Sequence, residues 1–142
     1  MKDIAIIGFG NQAKAWALNL RDSGWEVRIG LRPTSTSIVK AREMNFEIFD
    51  YTQANNQNNF AILTPDDTHF DVVKSIANYN SKATFIYAHG FGLLYTELRT
   101  QFNQANHLLL APKAIASELR FQYETKGKNG GVYSFEGLND LS

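Results

Sequence analysis

The feature that most constrains this chain is a hexapeptide, Gly8-Phe9-Gly10-Asn11-Gln12-Ala13, set between two segments of different periodicity. Upstream, Ile4-Ala5-Ile6-Ile7 is a continuous, partly β-branched apolar run cut off by glycine, which reads as a buried strand. Downstream, Ala13, Trp16, Ala17 and Leu20 recur at helical spacing within 12–23, and Gly24 supplies a stop. Each position of the turn has a physical task. Gly8 allows the tight bend, Gly10 lets a pyrophosphate approach the backbone, and the small Ala13 lets the helix pack close to the strand. Amides exposed at the helix start then meet the phosphate charge. A lone G-x-G-x-x-A is weak. Following a strand and opening a helix, inside a βαβ unit of about thirty residues, it reads as a dinucleotide-binding turn.

The rest of the chain repeats the alternation. Val27–Leu31 is a second strand, 37–44 a second helix and Phe46–Phe49 a third strand. Asn55-Asn56-Gln57-Asn58-Asn59 is a polar loop before a fourth strand at 60–63, which Pro65 ends. Phe70, Val73, Ile76 and Ala77 mark a helix, 84–88 a fifth strand, 93–102 a helix and 107–111 a sixth strand. Gly127, Gly130 and Gly131 precede a further strand at 132–135. The pattern predicts one α/β domain over 1–142, doubly wound in the Rossmann manner, with a mainly parallel sheet and helices on both faces.

Composition narrows the function classes. Fourteen basic and fourteen acidic residues leave a formal net charge of zero, so no polyanion-binding surface is signalled and no nucleic-acid partner is expected. The absence of cysteine excludes disulfides, thiolate zinc sites and a thiol nucleophile. The apolar run at 4–7 is too short for a signal-peptide core or a membrane span. A soluble, cytoplasmic domain with no membrane partner is expected; assembly with copies of itself stays open.

The end of the second strand indicates which dinucleotide binds. NAD enzymes usually place an acid there, about twenty residues past the turn, for the ribose 2′-hydroxyl. Here no acid stands between Glu26 and Glu43, and Glu26 lies at the wrong end of the strand. The correct end reads Gly30-Leu31-Arg32-Pro33-Thr34-Ser35-Thr36-Ser37. A guanidinium with two or three hydroxyls suits a 2′-phosphate, so NADP is favoured over NAD. Ser37 also reads as a helix N-cap and Arg32 as a solvated side chain.

With these residues in view, the chain resembles the N-terminal domain of ketol-acid reductoisomerase (acetohydroxy acid isomeroreductase). The resembling stretches are Ile6-Ile7-Gly8-Phe9-Gly10-Asn11-Gln12, the run 17–24, Gly30-Leu31-Arg32 with Ser35 and Ser37, and Thr64-Pro65-Asp66. Ala88-His89-Gly90-Phe91 and Ala111-Pro112-Lys113, followed by Arg120 and Tyr123, continue it in the family's order. The resemblance implies that Gly8, Phe9, Gly10, Asn11 and Gln12, with Arg32, Ser35 and Ser37, hold NADP. It implies that Pro65, Asp66, Asp67, Thr68 and His69 line the adenosine side, that Gly131 lies near the cofactor, and that His89 and Lys113 face the substrate. It implies an oxidoreductase of branched-chain amino-acid biosynthesis that uses NADPH on a small 2-keto acid. Two departures stand out: Ala13 replaces the usual third glycine, and Ala114-Ile115-Ala116 replaces a Gly-Pro-Gly after Lys113. In the family a helical second domain, expected to be absent from this chain, carries the carboxylates for two magnesium ions. The full reaction is therefore not expected of this chain alone.

On their own chemistry, His89 and Lys113 each follow a predicted strand at the carboxyl edge, where open α/β sheets bind ligands. A histidine there can relay protons and a lysine can steady an oxyanion. His69 and His107, beside a helix start and at a strand start, read as structural. The pairs Asp67/Asp71 and Glu136/Asp140 are spaced for one helix face, yet acids in a first turn answer the helix dipole, so no metal site is read. A stand-alone, non-catalytic NADP(H)-binding or redox-sensing module, or the cofactor domain of another NADP-linked reductase, is the alternative.

Overall fold

The computed structural model describes residues 3–88, 92–110 and 135–136. The chain runs β1 (Asp3–Ile7), α1 (Asn11–Asp22), β2 (Glu26–Leu31), α2 (Ile38–Glu43), β3 (Glu47–Asp50) and β4 (Asn59–Ile62). A short 3-10 turn (Asp66–Thr68) leads into α3 (His69–Ala77). Then come β5 (Thr84–Tyr87), α4 (Gly92–Gln101), β6 (Asn106–Leu110) and β7 (Phe135–Glu136). The sheet order is β3-β2-β1-β4-β5-β6-β7, parallel through β6, with β7 antiparallel to β6. The doubly wound, mainly parallel sheet is therefore as the periodicity predicts, with the ends of β1 to β6 and of the helices within a residue or two of those expected; of the strand expected at 132–135, positions 132–134 lie outside the described residues.

Alternation along each strand builds a core on both faces. Ile4 and Ile6 of β1, Ile29 of β2, Ala61 of β4 and Ile86 of β5 meet Ala13, Trp16, Ala17 and Leu20 of α1 and Ala41 of α2. On the other face Ala5, Ile7, Phe60, Ile62, Phe85 and Tyr87 meet Val72, Val73 and Ile76 of α3 and Leu98 of α4. This explains why β1 reads as a continuous apolar run: it is covered on both sides, and Ile4 to Ile7 are wholly buried.

Helix ends are set by local chemistry. Gly24 takes φ +93°, and the N–H groups of Gly24 and Trp25 donate to the carbonyls of Arg21 and Leu20, closing α1. Asn45, at φ 65°, does the same for α2. Arg21 then ties the two ends together, donating to the Met44 carbonyl at 2.7 Å with its guanidinium 4.2 Å above the Phe46 ring.

Gly30 lies beside Ile7 in the parallel register of β1 and β2. A Cβ there would stand 2.5 Å from Ile7 Cδ1, 3.0 Å from Phe49 Cζ and 3.3 Å from Tyr51 Cβ. A methyl group there forces the end of the fully buried Ile7 side chain to move. Gly30→Ala is expected to lower unfolding free energy by about 1–3 kcal/mol, the usual cost of overpacking, as measured by urea titration.

His107 is wholly buried in β6, as the structural reading of this histidine expects. Its Nε2 lies 2.8 Å from the Phe102 carbonyl, which can only accept, so Nε2 carries the proton. Nδ1 then accepts from the Tyr87 hydroxyl at 2.9 Å. The neutral ring satisfies both partners. Burial, aided by the nearby Arg99 charge and opposed by the Phe102 bond, pushes the pKa below 6.5. The unfolded chain thus binds the proton more readily than the folded one. Stability should be full above about pH 6.5 and fall as pH drops through that value, by up to about 1.4 kcal/mol per pH unit. His107→Gln should flatten that part of the pH-stability profile in chemical denaturation.

Candidate functional site

The strand order opens a crevice at the carboxyl edge. From β1 the chain turns into α1 on one face, whereas from β4 it turns into α3 on the other. The two connections leave in opposite directions from adjacent strands, and ligands of open α/β sheets bind at such a switch. A cleft of about 670 Å³ lies there, walled by the turn 8–12, the end of β2 with its loop, Tyr51, and the segment after β4.

The turn is held rigidly. Gly8 adopts φ +104°, which side chains rarely allow, and its N–H donates to the Gly30 carbonyl at 3.1 Å. A Cβ at Gly8 would stand 3.1 Å from Thr64 Cγ2 and 3.2 Å from the Leu63 oxygen. Phe9 is buried and meets the Phe46 ring edge-on at 5.8 Å, which anchors the loop. Gly10 differs from Gly8. Its φ of −75° and ψ of −170° suit any residue, and a Cβ built on it meets nothing within 4 Å. Neither conformation nor packing among the described residues requires glycine at this position, which lines the cleft. Gly10 is the N-cap of α1, provides no side-chain cap, and no acid occupies the first turn. Among the described residues no capping group meets the leading amides of α1, which suits them to an external acceptor.

The second wall is the loop after β2. The Arg32 carbonyl accepts from the Ser35 N–H at 2.9 Å, and Ser35 Oγ accepts from the Ser37 N–H at 3.1 Å. That bond uses a lone pair of Ser35 and leaves its hydroxyl proton available. Ser37 occupies the N-cap position of α2, but its backbone is helical and its side chain makes no capping bond, so the plain N-cap reading is not what the structure shows. Arg32 is exposed at the cleft rim, its guanidinium 5.7 Å over the Tyr51 ring, and it makes no ion pair among the described residues. The nearby Asp50 is engaged by the Thr52 N–H at 2.9 Å and the Thr52 hydroxyl at 2.6 Å.

The third wall divides the expected residues. Pro65, Asp66 and Thr68 line the cleft, while Asp67 and His69 do not. The Thr68 hydroxyl lies 2.6 Å from the Pro65 carbonyl and 2.8 Å from Thr64 Oγ1, closing the 3-10 turn. His69 is buried, and its Nε2 donates to the Thr64 carbonyl at 2.9 Å. Asp66 Oδ1 is 3.7 Å from that nitrogen, beyond hydrogen-bond reach. His69 thus braces the loop from beneath, in keeping with its structural reading and away from the adenosine-lining place the resemblance implies. Its ring faces the core because the bend after Pro65 starts α3 at this residue.

Of the expected site, Gly8, Phe9, Gly10, Asn11, Gln12, Arg32, Ser35, Ser37, Pro65, Asp66 and Thr68 converge on one cleft. His89, Lys113 and Gly131 lie outside the described residues. Gly30, Leu31, Thr34, Tyr51, Leu63, Thr64, Asp71 and Val72 also line the cleft, though none was expected as a cofactor-binding residue. Leu63 and Thr64 could have been found from their place at the end of a strand beside β1. Tyr51 carries no local signal. Among the described residues no group of three metal-ligating side chains stands together, and no helix is long and apolar enough to cross a membrane.

Comparison with known proteins agrees with this architecture. Residues 1–139 match the family described as acetohydroxy acid isomeroreductase, NADPH-binding domain. A ketol-acid reductoisomerase (NADP(+)) from Campylobacter hominis is 37% identical over 134 residues, covering 92% of this chain and 38% of that protein. The solved structure of an NADH-preferring ketol-acid reductoisomerase from an uncultured archaeon is 27% identical with a TM-score of 0.66, covering 87% of this chain and 39% of that one. A Mycobacterium tuberculosis 3-hydroxyisobutyrate dehydrogenase superposes at TM-score 0.67 with 17% identity, covering 78% of this chain and 40% of that one, which speaks for the fold alone. The chain thus spans well under half the length of either reductoisomerase. With the match running through nearly its whole length, this chain belongs to the NADPH-binding domain family of the acetohydroxy acid isomeroreductases.

Proposed function

We propose that this chain binds NADP(H) in the cleft at the carboxyl edge and serves as the cofactor domain of a ketol-acid reductoisomerase. The observation that carries the reading is the empty space at Gly10. A glycine that neither its backbone nor packing among the described residues requires lies at the mouth of a helix start, across the cleft from a loop bearing hydroxyls and a guanidinium that makes no ion pair among the described residues. A pyrophosphate fits that space and a 2′-phosphate fits that loop.

The residues divide the work. Gly8 sets the bend that aims the α1 amides at the pyrophosphate. Arg32, Ser35 and Ser37 receive the 2′-phosphate, the guanidinium by charge-assisted bonds and Ser35 with its free hydroxyl proton. Pro65 and Thr68 form the facing wall. When bound, NADPH supplies a hydride for reduction of a carbonyl carbon. His89 and Lys113 are the proposed proton-relaying and oxyanion-steadying groups; they follow β5 and β6 in the sequence. The described residues do not suit a magnesium site, so the metal-dependent carbon shift is assigned to the family's second domain.

Relatives of this chain include both an NADP(+) and an NADH-preferring enzyme, so preference has to be argued from the loop itself. NADPH is expected to bind more tightly than NADH by calorimetry, since each charge-assisted bond contributes about 1.5–3 kcal/mol before desolvation. Arg32→Ala should lower NADPH affinity about tenfold or more. Equal affinities in the wild-type chain, or an unchanged preference in the variant, would refute the assignment. A second assay mixes the chain with NADPH, magnesium and 2-acetolactate and follows the reduced cofactor's absorbance. No turnover above background is expected; turnover that scales with chain concentration would reveal a metal site these residues do not suggest.

A further inference from the structure

Arg32 raises a problem of its own. Its side chain is exposed, has many rotamers, and among the described residues makes no ion pair to hold it. A free guanidinium would lose much of that freedom on gripping a phosphate. The structure supplies a platform instead. Tyr51 follows the last residue of β3, is 3% exposed, and lies with its ring under the guanidinium at 5.7 Å. That distance is within the range where the ring quadrupole attracts a cation.

The platform is built from three sides. The Tyr51 carbonyl accepts from the Tyr79 hydroxyl at 2.8 Å, and that hydroxyl accepts from Asn55 Nδ2 at 2.9 Å. The Tyr51 Cβ lies 3.3 Å from where a Cβ of Gly30 would be, so the glycine in β2 makes room for it. Phe49 packs with the same core cluster as Tyr51. The Tyr51 backbone is therefore held at the end of β3 with its side chain packed in the core, while Arg32 sits on the loop that leaves the sheet.

We propose that Tyr51 is a positioning residue for cofactor selection, its ring holding the Arg32 guanidinium at the cleft rim where the 2′-phosphate arrives. The inference rests on the NADP(H) reading above and adds to it a residue two strands on from the phosphate turn in sequence. The ring acts on NADPH through Arg32 and has no such lever on NADH, which lacks the phosphate.

The test is a double-mutant cycle on the chain, with NADPH and NADH titrated by calorimetry. Tyr51→Leu should lower the NADPH-to-NADH affinity ratio about two- to fivefold, the size of an exposed cation–π contact. Tyr51→Phe, which keeps the ring, should restore the ratio. In an Arg32→Ala background Tyr51→Leu should leave the ratio where Arg32→Ala put it. An unchanged ratio in Tyr51→Leu, or a fall that persists without Arg32, overturns the inference while leaving the cofactor reading intact. Absence of NADPH preference in the wild-type chain overturns both. If Tyr51→Leu does not fold, Tyr51→Met gives the same comparison. The wild-type chain offers an independent measurement: Arg32 Hδ resonances shifted upfield by the Tyr51 ring current support the contact, and random-coil positions overturn it.

Discussion

The site depends on the parallel seam where β1 is held between β2 and β4. Two hydrogen bonds define its end: the Gly8 N–H to the Gly30 carbonyl and the Leu63 N–H to the Ile7 carbonyl, both at 3.1 Å. They bring the last residues of three strands level with one another, immediately before the chain leaves for opposite faces. The cleft is the space between those departures, beyond the end of a strand whose Ile4 to Ile7 are wholly buried, and its walls are largely the loops that follow the strands. A ligand bound there meets backbone groups whose positions the sheet has already determined, so little has to be ordered on binding.

Two glycines in the turn illustrate separate constraints. Gly8 is required by the chain itself, through a positive φ and the close approach of Leu63 and Thr64. Gly10 is not required by anything within the described chain, and open space lies where its side chain would be. The first shapes the turn and the second keeps it accessible. Ala13, in the third position of the motif, is fully buried against the sheet, which shows why a small residue other than glycine serves there.

The two buried histidines follow one rule. His107 and His69 are both buried, and each gives its Nε2 proton to a carbonyl five residues earlier, Phe102 and Thr64. The two rings cap the segments that enter β6 and α3. Burial therefore makes these histidines braces for connections, one of which, at Thr64, forms a wall of the cleft.

Local chemistry in the sequence determined the elements and the phosphate turn. Apolar runs of strand length, the 3.6-residue repeat of α1, and the stops at Gly24 and Pro65 are each readable from neighbours within a few positions, because strand and helix periodicities are local properties. The basic, hydroxyl-bearing loop after β2 was legible for the same reason, and so was the family resemblance, since its residues come in order along the chain. Which side chains actually reach the cleft was decided only by tertiary structure. His69 and Thr68 are adjacent, yet one faces the core and the other the cleft, because the 3-10 turn gives way to α3 between them. Tyr51 stands nineteen positions after Arg32 and meets it only because β3 lies beside β2 in parallel register and Gly30 leaves room between them. Proximity of that kind comes from strand pairing and packing across the sheet, which no short window of sequence contains.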